Sequence, residues 1–232
     1  MTRRSTPRLY DPAFEHDSCG FGLLVNIDGR ASRWLVDQAF AALAKMAHRG
    51  GVNADGVTGD GCGILLYRPE AWLRALADEA HIAVGTRFAA GLVFLPHDAD
   101  RAAAARAQFE RLLREEGLAA AGWRAVPLAD EACGPLGLAH RPRIEQLFAN
   151  APDRFDEAAF ERALFRARRR TEQALAHEAA FYVVSLSAAT IGYKAMAAPG
   201  RLHEVFPDLQ RPDPAERAAT YHQRLSTNTP PN

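Results

Sequence analysis

Apolar residues along the chain follow two rhythms, and each predicts a different kind of element. Unbroken runs of strand length occur in "CGFGLLVNIDGR", closed by a turn at Asp28-Gly29, in "GDGCGILLYRP", in "RFAAGLVFLP" and in "GWRAVPL". Such runs between turn residues predict buried strands. In "SRWLVDQAFAALAKMAHRGG" the apolar positions instead recur at helical spacing (Leu35, Ala39, Leu43, Met46), with Ser32 placed to cap the start and Gly50 or Gly51 to stop it. Three more helices are predicted: "PEAWLRALADEA" with Pro69 in its first turn, "DADRAAAARAQFERLLREEG" capped by Asp98, and "DEAAFERALFRARRRTEQALAHE". The runs "FYVVSLS" and "TIGYKAM" meet at Ala188, Ala189 and Thr190, which predicts an antiparallel hairpin. Hairpins interspersed with long helices exclude a purely parallel βαβ sheet and point to the α+β class.

Composition narrows the function. The chain has 232 residues, 48% of them hydrophobic, which suits one large domain. Its 28 basic residues balance 28 acidic ones, so no net field draws it to nucleic acid or to a membrane. A small-molecule site is therefore expected. The basic start "MTRR" is followed by "STPRLYDP" and not by an apolar signal core, and no apolar run is long enough to span a bilayer. Three widely spaced cysteines, Cys19, Cys62 and Cys133, form no C-x-x-C pair. They predict free thiols in a reducing, cytoplasmic setting, with no disulfide framework and no metal site.

Three stretches could carry chemistry. In "EHDSCGFG" a cysteine before a glycine and a strand could project a thiolate into a cleft, although a lone cysteine at a strand end is more often a small buried hydrophobe. The glycines of "AHRGGVNADGVTGDGCG" suit tight turns or a close backbone approach, and no phosphate-loop or dinucleotide pattern accompanies them. In "HQRLSTNT" the Arg224 fork could grip a carboxylate, or the segment could be an exposed polar strand. His16, His48 and His222 have no meaningful spacing from Cys19, so no ordinary base for the thiol is visible.

Taken together, "YDPAFEHDSCGFGLLVNIDG", "LAKMAHRGGVNADGVTGDGCGIL", "FYVVSLSAATIGYKAMAAPGRLHEVFPDL" and "YHQRLSTNTPPN" resemble, in order and spacing, the opening segment of glutamate synthase large subunits. The resemblance runs from about Leu9 to the last residue. It implies a class II glutamine amidotransferase domain of the N-terminal nucleophile hydrolase fold, a four-layer αββα sandwich, here incomplete at its C-terminus. Residues 1–18 would be a propeptide cut between Ser18 and Cys19, and residues 19–232 the domain.

The same resemblance supplies roles. Cys19 matches the nucleophile that attacks the glutamine carboxamide, with its own freed α-amino group, pKa about 7.7 to 8.0, as the base. Arg224 matches the group that holds the substrate α-carboxylate, and Thr227 and Asn228 neighbouring positions that line the pocket. Arg49, Gly50, Asp60 and Gly61 are expected to support the site. The family's oxyanion donors, an Asn-Gly pair in an N-G-E segment, are expected beyond "STNT", because no Asn-Gly pair occurs in the sequence. The fragment alone is therefore expected to be nearly inactive. No cofactor is expected in this segment. FMN and an iron-sulfur cluster would belong to later domains, with FAD and NADPH acting through a small subunit, and Cys62 and Cys133 would be core residues. L-glutamine, the downstream flavin domain and the FAD-bearing subunit are the implied partners. Two alternatives remain: a stand-alone N-terminal cysteine hydrolase of another amide, and a truncated, non-catalytic binding protein.

Overall fold

A computed structural model describes residues 19–67 and 69–224. Two four-stranded antiparallel sheets organise them. The first is built from β1 (Gly20–Val25), β2 (Cys62–Tyr67), β7 (Thr190–Ala195) and β8 (Ala218–Gln223) in the order β1-β8-β2-β7. The second contains β3 (Phe88–Leu95), β4 (Ala119–Ala125), β5 (Arg143–Asn150) and β6 (Tyr182–Ser187) in the order β4-β5-β3-β6. The expected α+β class holds, with helices packed on paired sheets.

Helix starts follow local chemistry. Ser32 Oγ accepts from the Leu35 N–H at the head of α1 (Arg33–Ala44). Asp98 accepts from Arg101 N at 2.8 Å to open α3 (Ala99–Glu115), and Asp156 accepts from Ala159 N at 2.6 Å to open α5 (Glu157–Ala174). Each carboxylate satisfies a backbone donor that the first helical turn leaves unpaired. Pro69 stands just before α2 (Glu70–Glu79), its carbonyl accepting from Leu73 N. The predicted first helix does not run regularly to Gly50, because it tightens into a 3₁₀ turn at Lys45–Arg49. Two short helices, α4 (Pro135–Ala139) and α6 (Leu202–Val205), complete the inventory among the described residues.

Two cores result. Phe109 and Leu113 of α3 and Phe160 and Leu164 of α5 pack on Val93, Leu147 and Val183 of the second sheet. The larger core joins Leu35, Ala39 and Leu43 of α1 and Trp72 and Leu76 of α2 to Ile64, Ile191 and Tyr193 of the first sheet, and to Phe88, Leu92 and Phe148 of the second. Each of these large side chains gains roughly 1.5 to 3 kcal/mol from burial.

Three expectations need correction. The runs at 182–187 and 190–195 are not a hairpin, since β6 pairs with β3 and β7 with β2. Ser187 Oγ accepts from the N–H groups of Ala189 and Thr190, and Ser185 Oγ from Gly192 N at 2.9 Å, so side chains satisfy the corner where the chain changes sheet. The strand after Cys19 is not buried: Phe21, Leu23 and Val25 are 78%, 61% and 55% exposed, because β1 is an edge strand with one uncovered face. Finally, β5 went unpredicted although it joins β3 and β4.

Candidate active site

The site grows from the end of β8. Gln223 is in register with Gly20 of β1 on one side and with Cys62 of β2 on the other, so Cys19, Gly61 and Arg224 fall at one end of the first sheet. The Arg224 N–H donates to the Gly61 carbonyl at 2.8 Å, which fixes the chain as it leaves β8. β8 therefore has a neighbour on each side, and β1 and β7 are the edges of this sheet among the described residues.

The segment 45–61 wraps this end. A Cβ on Gly20 would stand 2.4 Å from Met46 Cε and 3.2 Å from Arg49 Cβ, so the turn passes close over the residue after Cys19. A Cβ on Gly50 would meet Gln223 Nε2 at 1.9 Å and the Arg224 carbonyl at 2.9 Å. Gly51 N donates to Asp60 Oδ2 at 3.0 Å while Asp60 N donates to the Gly51 carbonyl at 3.1 Å, closing the loop on itself. Gly61 follows with φ of +122°, a left-handed backbone that other residues adopt only under strain. Arg49, Gly50, Asp60 and Gly61 thus lie at the same end of the sheet as Cys19 and Arg224. Ser18, Thr227 and Asn228 lie outside the described residues.

Sequence reasoning missed what fastens this loop. The Asp55 carboxylate accepts from Thr58 Oγ1 at 2.5 Å, from Thr58 N at 2.8 Å, from Val57 N at 3.0 Å and from Leu136 N at 3.1 Å. The Thr58 hydroxyl, followed by these backbone donors, holds the Asp55 carboxyl well below the usual carboxylate range. Thr58 is fully buried, and its Oγ1 accepts in turn from Gly137 N at 3.1 Å, so loop and α4 are stapled together. The only sequence signal was the Asp-Gly pair, which reads as an ordinary turn. Gln223 was also overlooked. It is buried, and its Nε2 donates to the Arg224 carbonyl at 3.2 Å.

Beside these residues lies a cavity of about 720 Å³. Gly61, Cys62, Cys133, Lys194, His222 and Arg224 contribute to its wall. The three thiols differ sharply. Cys62 donates to the Ala197 carbonyl at 3.5 Å and burial pushes its pKa up to about 12. Burial also raises the half-buried Cys133, whereas Cys19 is exposed. Protonated thiols are poor nucleophiles, so burial leaves Cys62 and Cys133 less reactive than an exposed cysteine. Among the described residues no group of three or more His, Cys, Asp or Glu side chains could hold a metal ion.

Residues 19–232 match the family model of the class-II glutamine amidotransferases. The chain belongs to that family. Among its relatives, the ferredoxin-dependent glutamate synthase 2 of Synechocystis sp. is 37% identical over 234 residues, which cover 99% of this chain and 15% of that protein. The glutamate synthase [NADPH] large chain of Azospirillum brasilense is 38% identical over 98% of this chain and 15% of its own length. That of Bacillus subtilis is 34% identical over 100% and 16%. This class-II amidotransferase chain therefore spans about 15% of the curated relatives it matches. None of its described helices is long and apolar enough to cross a membrane.

Proposed function

We propose that this chain is the glutamine-hydrolysing part of a glutamate synthase, with Cys19 as nucleophile and Arg224 as the clamp for the substrate α-carboxylate. One observation carries the reading: the single exposed thiol of the three stands at the end of the sheet where Arg224 is pinned to Gly61. Continued back from Gly20, the alternation of β1 puts Cys19 on the face of Phe21 and His222.

The chemistry follows from these groups. After cleavage between Ser18 and Cys19, the freed α-amine takes the thiol proton, directly or through water, and sulfur adds to the carboxamide carbon. The amine returns the proton to the leaving nitrogen, ammonia departs and a glutamyl thioester remains. Water then attacks the thioester carbon, releasing glutamate and restoring the thiol. Arg224 fixes the carboxylate through two parallel hydrogen bonds, a fit that lysine cannot reproduce. The loop 50–61 and its Asp55 staple hold the Arg224 backbone during these steps. Thr227 and Asn228 complete the set of residues assigned to glutamine binding.

In the whole enzyme, ammonia passes to a flavin domain that makes glutamate from 2-oxoglutarate in a cytoplasmic, reducing setting. FMN and an iron-sulfur cluster belong to that part. A small FAD-bearing subunit delivers electrons from NADPH, or ferredoxin does so directly, and the names of the relatives include both donors.

The test is glutamine-dependent against ammonia-dependent glutamate formation in the intact enzyme. Cys19→Ala should abolish the first and leave much of the second. Arg224→Lys should act mainly through a raised KM for glutamine. Glutamine-dependent activity retained in Cys19→Ala refutes the assignment.

A further inference from the structure

Lys194, Gly63 and His222 stand side by side on three adjacent strands. Gly63 is in register with Lys194 of β7 on one side and with His222 of β8 on the other, and paired residues of an antiparallel sheet share a face. The middle position carries no side chain. A Cβ there would lie 2.6 Å from His222 Cε1, so the imidazole leans over the bare glycine toward Lys194.

The Lys194 ammonium is held in an unusual way. It lies 3.8 Å from the centroid of the Tyr182 ring and 5.7 Å from that of Phe94, and it makes no ion pair with any carboxylate among the described residues. Aromatic faces attract a cation without neutralising it. The positive charge is thus left to act on the cavity.

That cavity departs from the rest of the molecule. The sequence has no net charge, yet the wall carries Lys194, Arg141 and Arg224 together with His97, His140 and His222, against one carboxylate, Asp60. Asp60 already accepts from Gly51 N, and Arg141 is paired with Asp130. Phe94, Ile144, Phe181 and Val205 supply apolar surface to the same wall. A volume near 720 Å³ is far larger than a bare inorganic anion needs. Cationic groups at one point and apolar surface around them match a ligand with an anionic head and a hydrocarbon body.

We propose that the cavity face above Gly63 is a binding site for an aliphatic carboxylate, its head between Lys194 and His222 and its chain against the apolar wall. The cavity also receives Arg224, but the head is placed at Lys194 and His222, and butyrate binding to the Cys19→Ala chain is read without glutamine turnover.

Butyrate is the probe, added to the Cys19→Ala chain while the His222 Cε1–H resonance is followed by NMR and assigned with His222→Gln. Partial burial and the neighbouring Lys194 charge both lower the His222 pKa, so a bound carboxylate should raise it. Saturable shifts with butyrate are expected, with inorganic phosphate binding more weakly because it cannot use the apolar wall. Lys194→Met keeps the packing on Tyr182 but should weaken butyrate about tenfold, and Lys194→Arg should restore most of the affinity. The wild-type titration needs no substitution at Lys194, so it decides the matter even if a variant misfolds. No saturable shift up to about 50 mM butyrate, far above a useful affinity, overturns the proposal. Phosphate binding as tightly as butyrate, or butyrate binding unchanged in Lys194→Met, does so equally.

Discussion

The two sheets of this molecule are finished differently. The second is sealed on one side by α3 and α5, where Phe109, Phe160, Val93, Leu147 and Val183 are all buried. The first ends in β1, whose Phe21, Leu23 and Val25 face outward and whose outer edge pairs with no strand among the described residues. The nucleophile candidate, Arg224 and the cationic cavity lie at the open one. Polar groups that must meet a ligand cannot also be sealed in a core, and the open sheet leaves them accessible.

The largest test of this contrast is Phe109→Ala. Phe109 is buried and meets Trp123 and Phe181 edge-on, with ring centroids 6.2 Å apart in both cases. Its truncation should cost about 3 to 5 kcal/mol in denaturant unfolding. A loss below about 1 kcal/mol would show that the closed core does not dominate stability.

Next comes Glu216, which continues the β1-β8 pairing beyond Ala218 by exchanging backbone hydrogen bonds with Ser32. It is 1% exposed, and neither carboxyl oxygen has a partner among the described residues. Burial, only partly offset by Arg217, pushes its pKa up to about 8 from an ordinary 4.5. The folded protein therefore holds this proton more tightly than the unfolded chain. The resulting stability is complete below the ordinary value and is lost as pH rises toward about 8. Thermal melts of Glu216→Gln should fall less steeply across that window than those of the wild type. Parallel curves would remove Glu216 as a source of the pH dependence.

The smallest effect on stability is expected at Phe21. Phe21→Ser should change unfolding free energy by no more than about 0.5 kcal/mol, because the ring is already in water. It should nevertheless raise the solubility limit, since an apolar, unpaired edge strand templates association. Unchanged solubility with a large stability loss would mean that β1 is covered in solution.

The same contrast marks what the sequence could disclose. Helix starts were legible at Ser32 and Asp98, where one side chain caps its own backbone within three residues. β5 was not, because Glu145 and Gln146 interrupt its apolar run. Their burial relies on partners from other elements, Glu145 with Arg106 at 3.0 Å and Gln146 with Arg124 at 2.9 Å, besides the Glu145 contact with neighbouring Arg143 at 2.5 Å. Adjacent runs at β6 and β7 gave no sign of joining separate sheets, since strand partners are chosen over long separations. At the site, Cys19 and Arg224 were legible through the family's motifs. Asp55 and Lys194 were not, because their roles depend on α4 and on the Tyr182 ring.

The central claim is that Cys19 and Arg224 form one glutamine site. Its most direct test is alkylation of the chain by a chloroketone analogue of glutamine, followed by peptide mapping, with and without L-glutamine. The account predicts label on Cys19 and none on Cys62 or Cys133, protection by L-glutamine, and loss of that protection in Arg224→Met. Label on either buried cysteine in place of Cys19, or protection that survives Arg224→Met, would contradict it.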